Sequence, residues 1–326
     1  REMRHEVLDR YATVTVGECP LASIEQGRQI THPDTGALNM LFQFEHMDLD
    51  SVGGHVSGKW ALKPLDLRDL KATMARWQQA LHGQGWNSLY LSNHDQPRPV
   101  SRFGDDSPEH RVKSAKMLVT WLHMHQGTPF IYQGEELGMT NVHFDDISGY
   151  RDIETLNRYR VATTERGEDP AAVLASIHAK SRDNARTPMQ WTAGPHAGFT
   201  TGTPWLACNP NHTHIHAEQA LSDPDSVFHH YRRLIRMRQD WPVLVHGTYE
   251  QLLAEHTQVD AFIRSLGQER LLVVCNFSST EIRLEKPHSL AGCSITWVFG
   301  NGSEPANIDR EHWVLQPWEA RICRLD

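Results

Sequence analysis

The chain has 326 residues, of which 39% are hydrophobic and 22% charged, and a formal net charge of −8. These are the proportions of a folded globular protein with room for one large domain or two ordinary ones. The acidic balance, with no block of Lys or Arg, argues against a nucleic-acid partner, and no apolar run reaches the ~18 residues a membrane helix needs.

The five cysteines (Cys19, Cys208, Cys275, Cys293 and Cys323) are odd in number, scattered and free of any CxxC pair. That pattern speaks against a disulfide framework or a zinc site and favours reduced thiols. The opening segment Arg1–Glu6 lacks the charged and apolar regions of a signal peptide, so a cytoplasmic location is expected.

In chain order, Tyr11–Glu18 (YATVTVGE) is a β-branched run that predicts a buried strand ending in a carboxylate. Met40–His46 alternates apolar positions and reads as a second strand. Leu67–Leu81 carries Leu67, Leu70, Met74, Trp77 and Leu81 at helical spacing. Trp86–Asp95 reads as a third strand, Arg111–His125 as a helix and Thr128–Glu135 as a fourth strand. Three strand exits carry polar residues: Glu18, then His94 with Asp95, then Gln133 with Glu135. Alternating units of this kind predict a parallel α/β barrel or a doubly wound sheet, and in a barrel the exits share one mouth.

Residues Gly138–Asp225 interrupt the alternation with a loop-rich insertion holding one predicted helix, Asp169–Ala179. A segment this long is usually functional. Val227–Arg238 resumes helical spacing. From about Gly247 short strand-like runs separated by turns predict a small antiparallel β-sandwich. The expected organisation is therefore 1–245, the C-terminal part of a barrel with its insertion at 138–225, and 246–326, a β-sandwich.

Candidate chemistry lies at the strand exits. Read alone, Glu18 is first a solvated loop glutamate; half desolvated at the end of an apolar strand, it would hold a proton near neutral pH and act as a general acid. Asn93–Arg98 (NHDQPR) is equally an Asx-turn with a surface ion pair or a cluster of acceptor, ring and carboxylate. Gln133–Glu136 reads as rim hydrogen bonding. The charge pairs in Arg151–Glu154 and Arg182–Arg186 read as solvated salt bridges. Trp60, Trp77, Trp86, Trp121, Trp191 and Trp205 read mostly as core, with one or two near the insertion free to stack on a sugar.

The segments TVGE, NHDQPR, QGEELGMTN, YRDIETLN and SRDNARTPMQW occur in that order, with FQFEHMDLD and AGFTTGTPW between and beyond them. Together they resemble the oligo-1,6-glucosidase branch of the α-amylase superfamily, glycoside hydrolase family 13, from Val14 to the final strands. The resemblance implies the C-terminal half of a (β/α)8 TIM barrel followed by a β-sandwich domain. It implies Glu18 as general acid/base and Asp95 as the carboxylate that stabilises the transition state. His94 would bind the sugar in subsite −1, Arg182 would contact the same sugar and Glu154 would lie near subsite +1, with Arg186 easily mistaken for Arg182.

The family's nucleophile is an Asp in a GFRxD-type motif, and these residues contain none. Its calcium loop and an early substrate-binding His have no counterpart either. The expectation is a C-terminal fragment, inactive alone, whose partners are an oligosaccharide and the missing N-terminal half of the barrel, with no cofactor, nucleic acid or membrane. The implied activity is retaining, exo-acting hydrolysis of α-1,6-glucosidic bonds. Trehalose-6-phosphate hydrolase and sucrose isomerase are the alternatives within the family. A member without catalysis, serving as a structural partner, is the alternative outside enzymology, and a carbohydrate-binding module is disfavoured by the barrel-type alternation.

Overall fold

A computed structural model describes residues 2–53, 58–305 and 311–326. Its first part runs α1 (Glu2–Glu6), β1 (Val16–Glu18), α2 (Ile24–Thr31), β2 (Met40–Phe42), α3 (Leu67–Leu81), β3 (Ser88–Leu89), α4 (Pro99–Arg102), α5 (Arg111–His123) and β4 (Thr128–Pro129). β1 pairs in parallel with β2, and β3 with β4. A parallel bridge between Leu41 and Asn87 joins the two pairs. The result is a run of parallel strands crossed over by helices, half of a (β/α)8 barrel. Among the described residues, β1 and β4 each have a strand partner on one side only.

The strands are shorter than the apolar runs suggest. Tyr11–Thr15 lies outside β1, and the Thr15 N–H is taken by the Asn39 side chain at 2.9 Å. Helix α2 turns Ile24, Gly27, Ile30 and Thr31 toward Leu41, Trp77 and Leu81 but buries only Gly27 and Thr31, and two apolar side chains in eight residues make a stripe too short for periodicity to find. Its signal is the capping box of Ser23 and Gln26, which satisfies two end N–H groups reciprocally. Gly27 is required because a Cβ there would sit 2.7 Å from the Trp77 ring.

Helix α3 forms where the apolar spacing places it. Asp66 caps its first turn, and Leu67, Leu70, Met74, Trp77 and Leu81 are buried on one face. Truncating Trp77 to Ala would cost about 3–5 kcal/mol by transfer and cavity terms together. Trp77 and Trp121 are core, whereas Trp191 and Trp205 stand exposed.

The insertion contains α6 (Ile153–Arg160), α7 (Pro170–Lys180), α8 (Asp183–Arg186) and α9 (Ala217–Ser222), followed by α10 (Val227–Asp240) and α11 (Pro242–His246). Helix α7 begins as its sequence indicates, with Asp169 accepting the N–H groups of Ala171 and Ala172 and Pro170 in the first turn.

The C-terminal part holds β5 (Thr248–Leu252), β6 (Val259–Leu266), β7 (Glu269–Asn276), β8 (Ile282–Glu285), β9 (Ile295–Gly300), β10 (His312–Leu315) and β11 (Ala320–Leu325). An antiparallel sheet in the order β5-β6-β7-β11-β9 is faced by the antiparallel pair β8-β10. Val259, Ile263, Leu272, Ile295, Trp313 and Leu315 fill the space on one face of the large sheet. On the other face Phe262, Leu271, Val273 and Ile322 join the core that includes Leu70, Trp121 and Leu234 of the helices. The central strands are thus buried on both faces, and β6 and β7 read as continuous apolar runs rather than alternating ones.

The junction is also polar. Trp121 Nε1 donates to Asp260 at 2.7 Å, and the Lys71 ammonium donates to the carbonyls of Leu253, His256 and Val259 at 2.6, 2.6 and 3.1 Å. Arg264 is fully buried and donates to the carbonyls of Leu244, Gly247 and Thr248.

Candidate active site

Because the strands are parallel, Glu18 and the loop 93–98 leave the sheet at the same edge. Glu18 ends β1 opposite Phe42 of β2, and Asp95 lies beyond β3. Two strand spacings separate their chains laterally, roughly 10 Å. Glu18 is exposed. Among the described residues, then, Glu18 is not the half-desolvated carboxylate expected from its position.

Asp95 is held by its surroundings. Its N–H donates to the Asn93 side chain at 2.7 Å, so the Asx-turn expected from sequence is present. Its carboxylate receives Arg186 Nη2, with Arg182 Nη1 farther away at 3.9 Å. The His94 ring is largely exposed and its Nε2 lies 3.6 Å from the second Asp95 oxygen. Arg186 Nε also donates to the His94 carbonyl at 3.0 Å.

Arg182 faces Glu154 instead, at 2.9 Å, and Glu154 accepts a second bond from Lys59 Nζ at 2.6 Å. A chain of alternating charge results: Lys59, Glu154, Arg182, Asp95, Arg186, Asp152. Burial alone would lower Arg182, but the carboxylates of Glu154, Asp95 and Asp152 outweigh it and raise its pKa. For Lys59 burial wins over Glu154 and the pKa falls. These pairs stand about one-third exposed, so each adds only about 0–1 kcal/mol to stability. Their effect is to fix side-chain geometry.

Two readings of the charge pairs change. Asp183 is not a solvated salt-bridge partner: it is fully buried and accepts the backbone N–H groups of Arg151 and Asp152 at 2.7 and 2.9 Å. Asp152 is buried as well, capping α6 through Thr155. Arg98 is fully buried too, donating to the carbonyls of Gln133, Asn184 and Ala185 at 2.6, 3.1 and 3.2 Å. A Cβ at Gly134 would approach Arg98 Nη1 to 2.9 Å, so only glycine allows this seat.

Glu135 lies beneath the rim rather than on it. It accepts from Ser92 Oγ and from Tyr231 OH at 3.3 Å, and burial pushes its pKa up to about 7 against the pull of Ser92, Arg98 and Tyr231. Asp50 is joined by Lys180 at 2.5 Å and Arg102 at 2.8 Å. Burial would raise Asp50, but these two cations hold it at about 2. Sequence reasoning passed over Lys59, Asp152, Asp183 and Arg98 as site-shaping groups. The available signals were the Lys59-Trp60 pair and the arginine ending NHDQPR. Among the described residues no three His, Cys, Asp or Glu side chains are grouped to hold a metal ion, and no described helix is long and apolar enough to cross a membrane.

Comparison with known proteins gives the same outline. Residues 1–247 match the α-amylase catalytic domain and residues 249–322 the maltogenic amylase C-terminal domain. The chain is similar to an oligo-1,6-glucosidase of Parageobacillus thermoglucosidasius, 50% identical over 325 residues, covering 100% of this chain and 57% of the relative. It is 45% identical over 325 residues to a trehalose-6-phosphate hydrolase of Bacillus subtilis, covering 99% of this chain and 57% of that one. The structure of a trehalose-6-phosphate hydrolase from Bacillus licheniformis superposes with a TM-score of 0.94 at 42% identity, over 99% of this chain and 58% of that one. An isomaltulose synthase from a Klebsiella species gives 0.93 at 36% identity, over 100% and 58%. The chain spans 57–58% of the length of these relatives.

Proposed function

Since this chain belongs to the α-amylase family, we propose that the enzyme built on it is a retaining, exo-acting α-glucosidase that hydrolyses α-1,6-glucosidic bonds of isomaltose-like oligosaccharides. The observation that carries the reading is Asp95, held by Arg186 at the edge from which Glu18 also emerges.

In this reading protonated Glu18 gives its proton to the glycosidic oxygen as the bond breaks. An aspartate outside these residues attacks the anomeric carbon and forms a glycosyl-enzyme. Ionised Glu18 then takes a proton from water, whose oxygen displaces the aspartate and releases glucose. The two central carboxyls of a retaining enzyme stand about 5–5.5 Å apart. Asp95 binds the ring hydroxyls more tightly as the sugar flattens, which is differential transition-state binding. His94 and Arg182 hold the glucosyl unit, and Glu154 faces the departing sugar. Five free cysteines support a reducing, cytoplasmic setting.

The second reading is trehalose-6-phosphate hydrolase, favoured by the 45% identical relative and the 0.94 superposition. Steady-state kinetics of the full-length enzyme on isomaltose and on trehalose 6-phosphate separate the two. A kcat/KM at least tenfold higher for isomaltose is expected, and a tenfold preference for the phosphorylated sugar would replace the first reading by the second. The 326-residue chain by itself is expected to release no p-nitrophenol from an α-glucoside.

A further inference from the structure

We propose that Asp152 is a positioning residue, which acts through Arg186 to set the carboxylate of Asp95; the inference rests on the α-glucosidase reading for its catalytic meaning. Arg186 uses all three of its nitrogens: Nε on the His94 carbonyl at 3.0 Å, Nη2 on Asp95 and Nη1 on Asp152 at 3.4 Å. A guanidinium is a rigid planar fork, so three anchored nitrogens leave it one orientation. Of its three partners, Asp95 and His94 sit on the rim, partly or largely exposed. Asp152 is the immobile one. Its side chain is only 2% exposed, and its Oδ2 is bound by Thr155 N at 3.0 Å and Thr155 Oγ1 at 2.9 Å, which leaves Oδ1 for Arg186.

The anchor is itself fixed. Buried Asp183 takes the N–H of Asp152 at 2.9 Å and that of Arg151 at 2.7 Å, locking the entry to α6. Asp183 and Arg186 lie on the same short helix, α8, whose carbonyls at Asn184 and Ala185 are gripped by Arg98 from the Asp95 loop. Tyr132 OH adds a bond to Ala185 O at 3.1 Å. The loop, α8 and the start of α6 therefore close a ring, Asp95–Arg186–Asp152–Asp183, in which the guanidinium links the rim carboxylate to the buried anchor. A group held through such a supporting shell keeps the sub-ångström placement that transition-state binding demands.

Asp152→Asn tests this in the full-length enzyme. Asparagine is as good a helix cap as aspartate, so the bond from Thr155 N survives while the charge facing Arg186 is lost. The expected result is a fall in kcat of at least tenfold on isomaltose with KM within threefold of the parent, the pattern of an interaction made in the transition state. Tm should move by no more than a few degrees, and a crystal structure of the variant should show Arg186 turned off Asp95. Asp152→Ala, which also removes the cap, should match the loss of kcat and lower Tm in addition. Asp152→Asn with kcat within twofold of the parent, or with Arg186 still seated on Asp95, overturns the inference. If the parent enzyme hydrolyses no α-glucoside, the α-glucosidase reading fails, and the seat of Arg186 in the variant crystal still decides the positioning role.

Discussion

The guanidinium of Arg186 closes on the carboxylate of Asp95 across 91 residues of sequence, while Arg182, one helical turn earlier, turns to Glu154. The two arginines therefore carry different duties. In the full-length enzyme Arg186→Ala should lower kcat/KM at least tenfold, because the Asp95 carboxylate loses the group that sets its position. Arg182→Ala should cost less and appear mainly in KM. Steady-state kinetics on isomaltose check the order; equal losses would remove the distinction.

Glu18→Gln removes the proton that the leaving oxygen needs. Turnover of isomaltose should fall by orders of magnitude. For a substrate whose leaving group departs without a proton, such as a dinitrophenyl glucoside, the first chemical step should recover and a burst should precede slow turnover. Unchanged turnover on isomaltose would remove the acid/base assignment.

Glu135 makes stability depend on pH in one window. Its folded pKa of about 7 stands above the ordinary carboxylate value of 4.5 because it is buried. The neutral form is favoured in the fold, so its stabilisation is complete below 4.5 and is lost as pH rises to about 7. Glu135→Gln stays neutral throughout. The difference in Tm between parent and variant, measured by calorimetry from pH 4.5 to 8, should move in the variant's favour with rising pH; a flat difference would contradict the buried, protonated carboxyl.

The buried histidines act in the opposite direction. Burial pulls His123, His125 and His230 down to about 3 and His46 to about 4. These rings fold neutral and charge on unfolding, so stability is full above pH 6.5 and falls as acid is added toward their folded values. Each contributes roughly 1.4 kcal/mol per pH unit in that range. Acid unfolding followed by circular dichroism should show proton uptake of several equivalents near pH 5. His230 sits 2.7 Å from Thr120 Oγ1 and stacks on Phe299, so its replacement by Asn should reduce the uptake by about one.

Lys71 ties α3 to the C-terminal sheet through three carbonyls. Lys71→Met removes the ammonium from all three; Leu253 O keeps the His256 N–H, while the buried Val259 O loses this donor, and a loss of about 1–3 kcal/mol follows. Denaturant unfolding of the full-length enzyme measures it; a change below about 0.5 kcal/mol, the level of an ordinary surface substitution, would mean water replaces the ammonium.

Much of the architecture was legible from residues. The stripe of Leu67–Leu81 and the Asp169-Pro170 cap each specify an element locally, because backbone preference and apolar periodicity act over a few residues; the run Tyr11–Glu18 gave only its last three residues to β1, and Tyr11, Val14 and Val16 are exposed rather than buried. Helix α2 escaped because its apolar stripe is only two side chains long, Ile24 and Ile30, and its capping box was the cue. The motif order identified the family. Sequence alone, then, determined the strand-helix alternation, the polar strand exits and the catalytic candidates at them. Only the tertiary structure decided which arginine meets Asp95, that Asp152 and Asp183 are buried anchors, and that Arg98 reaches α8. Those pairings join residues tens of positions apart, and no local propensity encodes them. Arg182 and Arg186 carry the same charge on neighbouring turns, so only the packing of α8 against the loop of Asp95 tells them apart.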